Sequence, residues 1–276
     1  MIKNIEVAVL IPCYNEERTI ANVVTEYKNI LPNSTVYVYD NNSDDETRIV
    51  AKNAGAVVRS EEYQGKGNVI RRMFSDIEAD VYLIVDGDMT YDSSVARLMV
   101  DKLVSNNLDM VICARSKVSD SAYRSGHKMG NYFFSSAVAL IFGKKITDIL
   151  TGYKALSRRF VKTFPAHGHG FDIEHEFTVH SLEMRLPIAE ITTEYFPRPD
   201  GSKSKLSTYK DGVKILFSIF KLLFTEKPFL SFSFVALLLL SIGATWGWKY
   251  VVYPWILTGN IVAFSSAILA TGLIIL

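Results

Sequence analysis

The feature that most restricts this chain is the near absence of charge at its end. Of the 49 residues after Lys227 only Lys249 is charged. Pro228–Trp248 is an uncharged, mostly apolar run that, at about 1.5 Å rise per residue, is long enough to cross a hydrocarbon core of about 30 Å. A second run, Trp255–Leu276, is also long enough, although Asn260 and two serines interrupt it. Trp246, Trp248, Tyr250, Tyr253 and Trp255 cluster between the runs, as aromatic side chains do at a membrane interface. The expectation is a helical hairpin of two transmembrane helices over 228–276, with its turn among those aromatics. Two buried helices of a soluble core are the alternative.

The preceding 227 residues carry 29 basic and 29 acidic side chains, so charge makes no case for a nucleic-acid binder. Cys13 and Cys113 cannot build a disulfide framework or, alone, a zinc site, which fits a reducing compartment. The apolar run Val7–Ile11 is too short for the core of a leader and has no basic stretch before it, so it reads as a buried first strand. Over 209–227, Lys210, Lys214, Ser218 and Lys221 share one side of an apolar-rich helical pattern. That predicts an amphipathic juxtamembrane helix with its lysines near anionic headgroups; a helix packed on the preceding domain is the alternative. Arg198–Lys227 holds seven basic and three acidic residues, an excess that places the domain of residues 1–208 in the cytoplasm of a multi-pass protein of the cell (inner) membrane.

Within that domain strand-like and helix-like segments alternate: strands at Val7–Ile11, Thr35–Tyr39, Ala56–Val58, Val81–Val85 and Met110–Cys113, helices at Thr19–Ile30, Asp45–Ala54, Asn68–Ile77 and Ser94–Ser105. This rhythm predicts an α/β fold with a mostly parallel sheet covered by helices. Polar clusters follow three strands, at Pro12–Glu17, Asp40–Asp45 and Asp86–Asp92. Ligands of open α/β sheets bind outside the carboxyl ends of the strands, so these loops are expected to converge.

Asp86-Gly87-Asp88 directly follows the apolar strand Val81–Val85. Carboxylates two residues apart on extended backbone project to the same side, and two hard oxygen ligands suit Mg²⁺ or Mn²⁺ with substrate phosphates completing the shell.

Together, Pro12-Cys13-Tyr14-Asn15-Glu16-Glu17, Asp40-Asn41-Asn42-Ser43-Asp44-Asp45 and Asp86-Gly87-Asp88 resemble the successive nucleotide-sugar motifs of family 2 glycosyltransferases, which have the Rossmann-like GT-A fold. Thr151-Gly152-Tyr153-Lys154 and Arg198-Pro199-Asp200-Gly201-Ser202-Lys203-Ser204-Lys205 are similar to the subgroup that moves a hexose onto a polyprenyl phosphate, the dolichyl-phosphate mannose synthase and bactoprenol-phosphate glucosyltransferase type. The resemblance spans about residues 5–227. It implies that Pro12, Tyr14 and Glu16 line a base and ribose pocket, that Asp40 accepts a hydrogen bond there, that Lys66 lies near the nucleotide, that Asp86 faces the nucleotide-sugar, and that Asp88, with Asp86, ligates the metal. Arg115, Arg124, Lys128, Arg198 and Lys205 are the cations that would hold phosphates of donor or acceptor, arginine in bidentate fashion. Two departures stand out: Asn41 where many members have a second Asp, and Gly87 where the subgroup commonly has Ala.

A hydroxyl acceptor needs a general base, for which Asp148, Asp172 and Glu174 are candidates. A phosphate monoester, with a second pKa of about 6, is largely ionised at pH 7 and needs cations more than a base. The basic later loops favour a phosphate acceptor. The expected activity is therefore an inverting, metal-dependent hexosyl transfer from a UDP- or GDP-hexose to undecaprenyl or dolichyl phosphate at the cytoplasmic membrane face. A glycosyltransferase acting on a hydroxyl-bearing lipid or saccharide, and a non-catalytic sugar-nucleotide-binding membrane protein, stay open; so does a homo-oligomer. Gly65-Lys66-Gly67 lacks the P-loop pattern and reads as a flexible loop. His167, His169, His175 and His180 lack zinc-ligand spacing and read as surface residues.

Overall fold

The computed structural model describes residues 5–118, 125–170, 172–199, 217, 220–260 and 264–275. The chain forms two compact units, Met1–Leu216 and Phe217–Leu276. In the first, β1 (Val7–Cys13), α1 (Ile20–Ile30), β2 (Thr35–Asp40), α2 (Thr47–Asn53), β3 (Val57–Ser60), α3 (Lys66–Asp76) and β4 (Val81–Ile84) follow the expected alternation. Then come α4 (Ala96–Ser105), β5 (Met110–Val118), α5 (Ser125–Phe142), β6 (Lys154–Ser157), α6 (Arg158–Thr163), α7 (Ile173–Glu183) and β7 (Ile188–Tyr195). The sheet order is β3-β2-β1-β4-β6-β5-β7, with β6 antiparallel to both neighbours and the other pairs parallel.

Period-two alternation sorts the side chains to the two faces of the sheet. Val9, Ile11, Leu83, Val111 and Ala155 join one core with Ile20, Val24, Met99 and Leu103 of α1 and α4. On the other face Tyr82 meets Phe74 of α3, which in turn contacts Phe164 and Phe177. Burying a large apolar side chain in such layers contributes about 1.5–3 kcal/mol. Pairing of Cys13 with Asp40 and of Leu10 with Ile84 ends β1, β2 and β4 at one edge, which is what brings their loops together.

In the second unit, helical residues 220–226 precede α8 (Pro228–Gly247), a π-turn (Trp248–Val252), α9 (Tyr253–Thr258) and α10 (Phe264–Ile275). Among the described residues one helix, Pro228–Thr258, is long and apolar enough to cross a membrane. The expected turn among the aromatics is not where the helix ends. Helical structure runs through Trp246–Trp255 and stops at Gly259, whose φ of +70° is the left-handed conformation glycine adopts without steric cost. Gly243 then faces Ala270 and Ile274 of α10, where a Cβ would lie 2.9 Å from the Ile274 side chain. The arms of this helical pair are thus α8 and the 12 residues of α10. Most of the expected amphipathic helix, including Lys210 and Lys214, lies outside the described residues.

Candidate active site

Each of the three loops at the common strand edge contains a non-glycine residue with left-handed backbone: Asn15 (φ 53°), Asn42 (φ 63°) and Met89 (φ 59°). Such conformations persist where surrounding contacts over-determine them. Here the contacts are cross-loop hydrogen bonds: Asn15 N to Ser43 Oγ at 2.8 Å, Asp44 N to Asn15 Oδ1 at 2.8 Å, Glu16 N to Thr47 Oγ1 at 2.8 Å, and Thr19 Oγ1 to Gly87 O at 2.6 Å. The loops form one rigid rim around a cavity of about 310 Å³.

Of the residues expected to bind donor, Pro12, Tyr14, Glu16, Lys66 and Asp86 line this cavity, and Asp88, Arg115 and Arg198 join them. From the end of β2 the lining residue is Asn41; Asp40 is buried, with Oδ2 accepting from Ser43 N at 3.3 Å and Oδ1 without a partner among the described residues. Asn41 explains its own departure from the family pattern. Its Nδ2 donates to Glu61 O at 3.0 Å and Tyr63 O at 2.9 Å, while Oδ1 accepts from Gly65 N at 2.6 Å. An aspartate could not donate the first two. Arg124, the Lys128 side chain and Lys205 lie outside the described residues.

Lys66 is the centre of charge on one wall. Its Nζ lies 2.6 Å from Asp86 Oδ1 and 2.6 Å from Glu174 Oε1. Desolvation alone would discharge it, but the two carboxylates outweigh burial and raise its pKa. Desolvation pushes Asp86 the other way, yet Lys66, helped by Arg198 and Arg115, holds its carboxyl below the usual range. Asp88 behaves oppositely: burial, then the Asp86 charge beside it, raise its pKa against the pull of Arg198. Its Oδ1 accepts from Thr90 Oγ1 at 2.6 Å and Thr90 N at 3.2 Å, and Oδ2 pairs with Arg198 Nη2 at 2.5 Å.

Gly65-Lys66-Gly67 is not a loose loop. It opens α3 and packs backbone to backbone against 168–169, with Gly67 N donating to His169 O at 3.1 Å. A Cβ on Gly65 would sit 2.1 Å from His169 O and one on Gly67 2.1 Å from Gly168 O. This docking sets the start of α7, and so Glu174, against Lys66. The surface reading of the histidines is corrected in part. His175 is buried against the Phe134 ring, its pKa lowered by desolvation to about 4, and His180 is buried between Phe160 and Phe164.

On the opposite wall Arg115 is held by Asp148 through Nε at 2.6 Å and Nη2 at 2.7 Å, with its guanidinium 5.4 Å from the Tyr195 ring centre. The 147–152 segment that carries Asp148 is tied down from four elements. Glu190 Oε1 accepts from Thr147 N and Asp148 N, Asn131 Oδ1 from Ile149 N, and Tyr91 Oη from Gly152 N at 2.8 Å, while Lys154 Nζ donates to Thr151 O. Gly152 is required there because a Cβ would lie 2.4 Å from Asp86 Oδ2. Tyr91, Tyr195 and Leu150 are lining residues that sequence reasoning missed, although Tyr91 falls inside the polar loop after β4.

Asp86 and Asp88 form a hard-oxygen donor set whose mutual repulsion a divalent cation would relieve, so the residues fit Mg²⁺ or Mn²⁺. Among the described residues no group of three His, Cys, Asp or Glu side chains could hold a metal, so other oxygens would have to complete the shell.

Residues 8–164 match the domain family described as Glycosyl transferase family 2. Glycosyltransferase AglJ of Haloferax volcanii is 34% identical over 252 residues, covering 91% of this chain and 82% of that protein. Dolichyl-phosphate hexose transferase of Haloferax volcanii is 25% identical over 222 residues, covering 80% of this chain and 96% of that protein. Among solved structures, glucosyl-3-phosphoglycerate synthase from Mycobacterium tuberculosis, in complex with Mn²⁺, UDP and phosphoglyceric acid, shares the fold with a TM-score of 0.64 at 20% identity, covering 80% of this chain and 78% of that chain.

Proposed function

The chain belongs to glycosyl transferase family 2, and from that premise we propose that it moves a hexose from a nucleoside-diphosphate sugar to a polyprenyl phosphate at the cytoplasmic face of a membrane. One observation carries the choice of acceptor: the carboxylates in and around the cavity that could serve as a base are already engaged. Asp86 and Glu174 share Lys66, Asp88 pairs with Arg198, Asp148 is clamped by Arg115, and Asp172 Oδ1 accepts from Gly170 N at 2.7 Å. Glu16 also faces Arg198, at 3.9 Å, and Asp88, whose pKa burial raises, has both oxygens engaged by Arg198 and Thr90, so a hydroxyl would find little help in losing its proton. A phosphate monoester already carries the attacking anion.

In this reading Pro12, Tyr14 and Glu16 receive the base and ribose, and buried Asp40 supports the loop behind them through Ser43 N. Asp88 and Asp86 would hold a Mg²⁺ or Mn²⁺ ion, which when bound neutralises charge on the departing diphosphate. Arg115, Arg198 and Lys205, with Arg124 and Lys128, attract the phosphates of both substrates. A phosphate oxygen of the acceptor attacks the anomeric carbon while the bond to the donor diphosphate breaks with its electron pair, inverting the configuration. The relative named dolichyl-phosphate hexose transferase and the UDP and Mn²⁺ of the structural neighbour support this reading. So does the apolar helix Pro228–Thr258, which would hold residues 1–208 at a bilayer where lipid acceptors concentrate. A second crossing within the apolar run Trp255–Leu276 would make the protein multi-pass.

The test is a screen of the purified full chain with UDP- and GDP-hexoses against undecaprenyl and dolichyl phosphate, with the corresponding polyprenols as controls and the product lipid weighed by mass spectrometry. Lipid-phosphate sugar that disappears with EDTA and with Asp88→Asn is the expected result. Transfer to polyprenol, or to no lipid from any donor, would overturn the assignment.

A further inference from the structure

Arg198 is not simply a cation at the cavity mouth. It follows β7, whose end is pinned to the loop after β4 by a Tyr91–Tyr195 bridge and by Phe196 N donating to Thr90 O at 2.9 Å. Anchored two residues away, the guanidinium reaches back into that same loop, where Nη2 is 2.5 Å from Asp88 Oδ2 and Nη1 is 3.9 Å from Glu16 Oε1. The other Asp88 oxygen is already occupied by two hydrogen bonds from Thr90. Arg198 therefore neutralises the oxygen of Asp88 that Thr90 does not hold, the one a divalent cation would use.

We propose that Arg198 and a divalent cation compete for Asp88, and that a nucleoside diphosphate relieves the competition by giving the arginine a second anion to hold. The inference rests on the metal role of Asp88 proposed above. Two cations on one carboxylate oxygen repel each other strongly in a water-poor pocket. Metal entry must then loosen the Arg198–Asp88 pair, and the released guanidinium, whose planar fork matches phosphate oxygens, is left without its best partner unless diphosphate is present. Metal and nucleotide thus bind cooperatively, and by linkage each tightens the other by the same factor. Arg198 acts as the coupling residue: it keeps metal affinity low in the free enzyme and raises it when donor arrives. Tyr195 and Thr90 hold the arginine's base in place, so that the exchange requires movement of one side chain.

The experiment measures Mn²⁺ binding directly, by the loss of the free-ion electron paramagnetic resonance signal, on the full-length protein in detergent with no acceptor. Wild type, Arg198→Ala, Arg198→Gln and Asp88→Asn are each titrated alone and with saturating UDP or GDP. In wild type the effective nucleotide should tighten Mn²⁺ at least about 10-fold, within the usual range of coupling between sites. Both Arg198 variants should bind Mn²⁺ about 10-fold tighter than wild type without nucleotide, and the nucleotide effect should shrink to about 3-fold or less. Unchanged or weaker Mn²⁺ affinity in both Arg198 variants, with Asp88→Asn losing the ion, would overturn the competition while leaving the metal site in place. Full Mn²⁺ binding by Asp88→Asn would instead overturn the metal role of Asp88 itself. Because Arg198 is partly exposed and the two variants differ in polarity, loss of fold in one leaves the other to decide.

Discussion

Lys66 and Lys154 both have buried side chains, and they behave in opposite ways. Lys66 sits between two carboxylates and holds its proton more tightly than a free lysine. Lys154 has two carbonyl groups for partners, Thr151 O and Ile149 O, and the Phe177 ring at 5.7 Å. Desolvation drives its pKa down to about 8. The same side chain is thus a fixed charge in one region and, in the other, a hydrogen-bond donor that gives up its proton near pH 8. Lys66 supplies electrostatics to the site directly. Lys154 supplies geometry, by holding the segment that brings Gly152 against Asp86, which is the partner of Lys66.

The comparison breaks most visibly at Lys66. Lys66→Met takes the nearest cation from the largely buried Glu174 and from Asp86, which is partly exposed and keeps Arg198 and Arg115 nearby; a loss of about 1–3 kcal/mol in unfolding free energy is expected, together with a fall in turnover of at least about 100-fold. Retention of wild-type stability in a denaturant titration would show that the three charges are not coupled. Gly152→Ala tests the link between the regions. The new Cβ must displace the Asp86 carboxylate, so turnover should drop about 100-fold, as an error of about 1 Å in a reacting group can cause, while far-ultraviolet circular dichroism stays native. Unaltered kcat would mean that Asp86 can shift at no catalytic cost.

The smallest effect sharpens the contrast through pH. Lys66 has a raised folded pKa, so its contribution is complete below its ordinary value of 10.5 and is lost as pH rises through the folded value. Lys154 has a lowered one: between about 8 and 10.5 the unfolded chain binds the proton that the folded chain releases, so stability rises with pH in that window. Relative to Lys154→Met, wild type should gain about 1–3 kcal/mol between pH 7.5 and pH 10. A difference that is flat or falls with pH would place Lys154 with Lys66 as an ion-paired residue.

Legibility followed chain distance. Strands β1 to β4 and their three loops were readable because each apolar run is followed at once by its own polar cluster, so motif and support are neighbours in sequence. Pro12, Tyr14, Glu16, Asp86 and Asp88 reach the cavity for that reason. The later half was not readable in this way. β6 is four residues long and begins with a buried lysine, which no hydrophobic pattern marks as a strand. Glu174 lies 108 residues from Lys66 and meets it only because 168–169 dock on Gly65 and Gly67. In the apolar end the start of the first helix was clear, but it continues to Thr258, past the expected Trp248, because its end was set by Gly259 and not by the aromatic cluster.

What the amino-acid sequence determined alone was the alternation that makes a parallel sheet, the edge at which its polar loops gather, the carboxylate pair after β4 and the apolar run that suits a bilayer. Each depends on short-range periodicity, and periodicity is a local property of the chain. Only the tertiary structure decided which charge answers which: Lys66 to Asp86 and Glu174, Arg115 to Asp148, Arg198 to Asp88. Side chains tens of residues apart become partners when burial removes the water between them, and in a medium of low dielectric the nearest opposite charge, not the nearest in sequence, sets the state of each group.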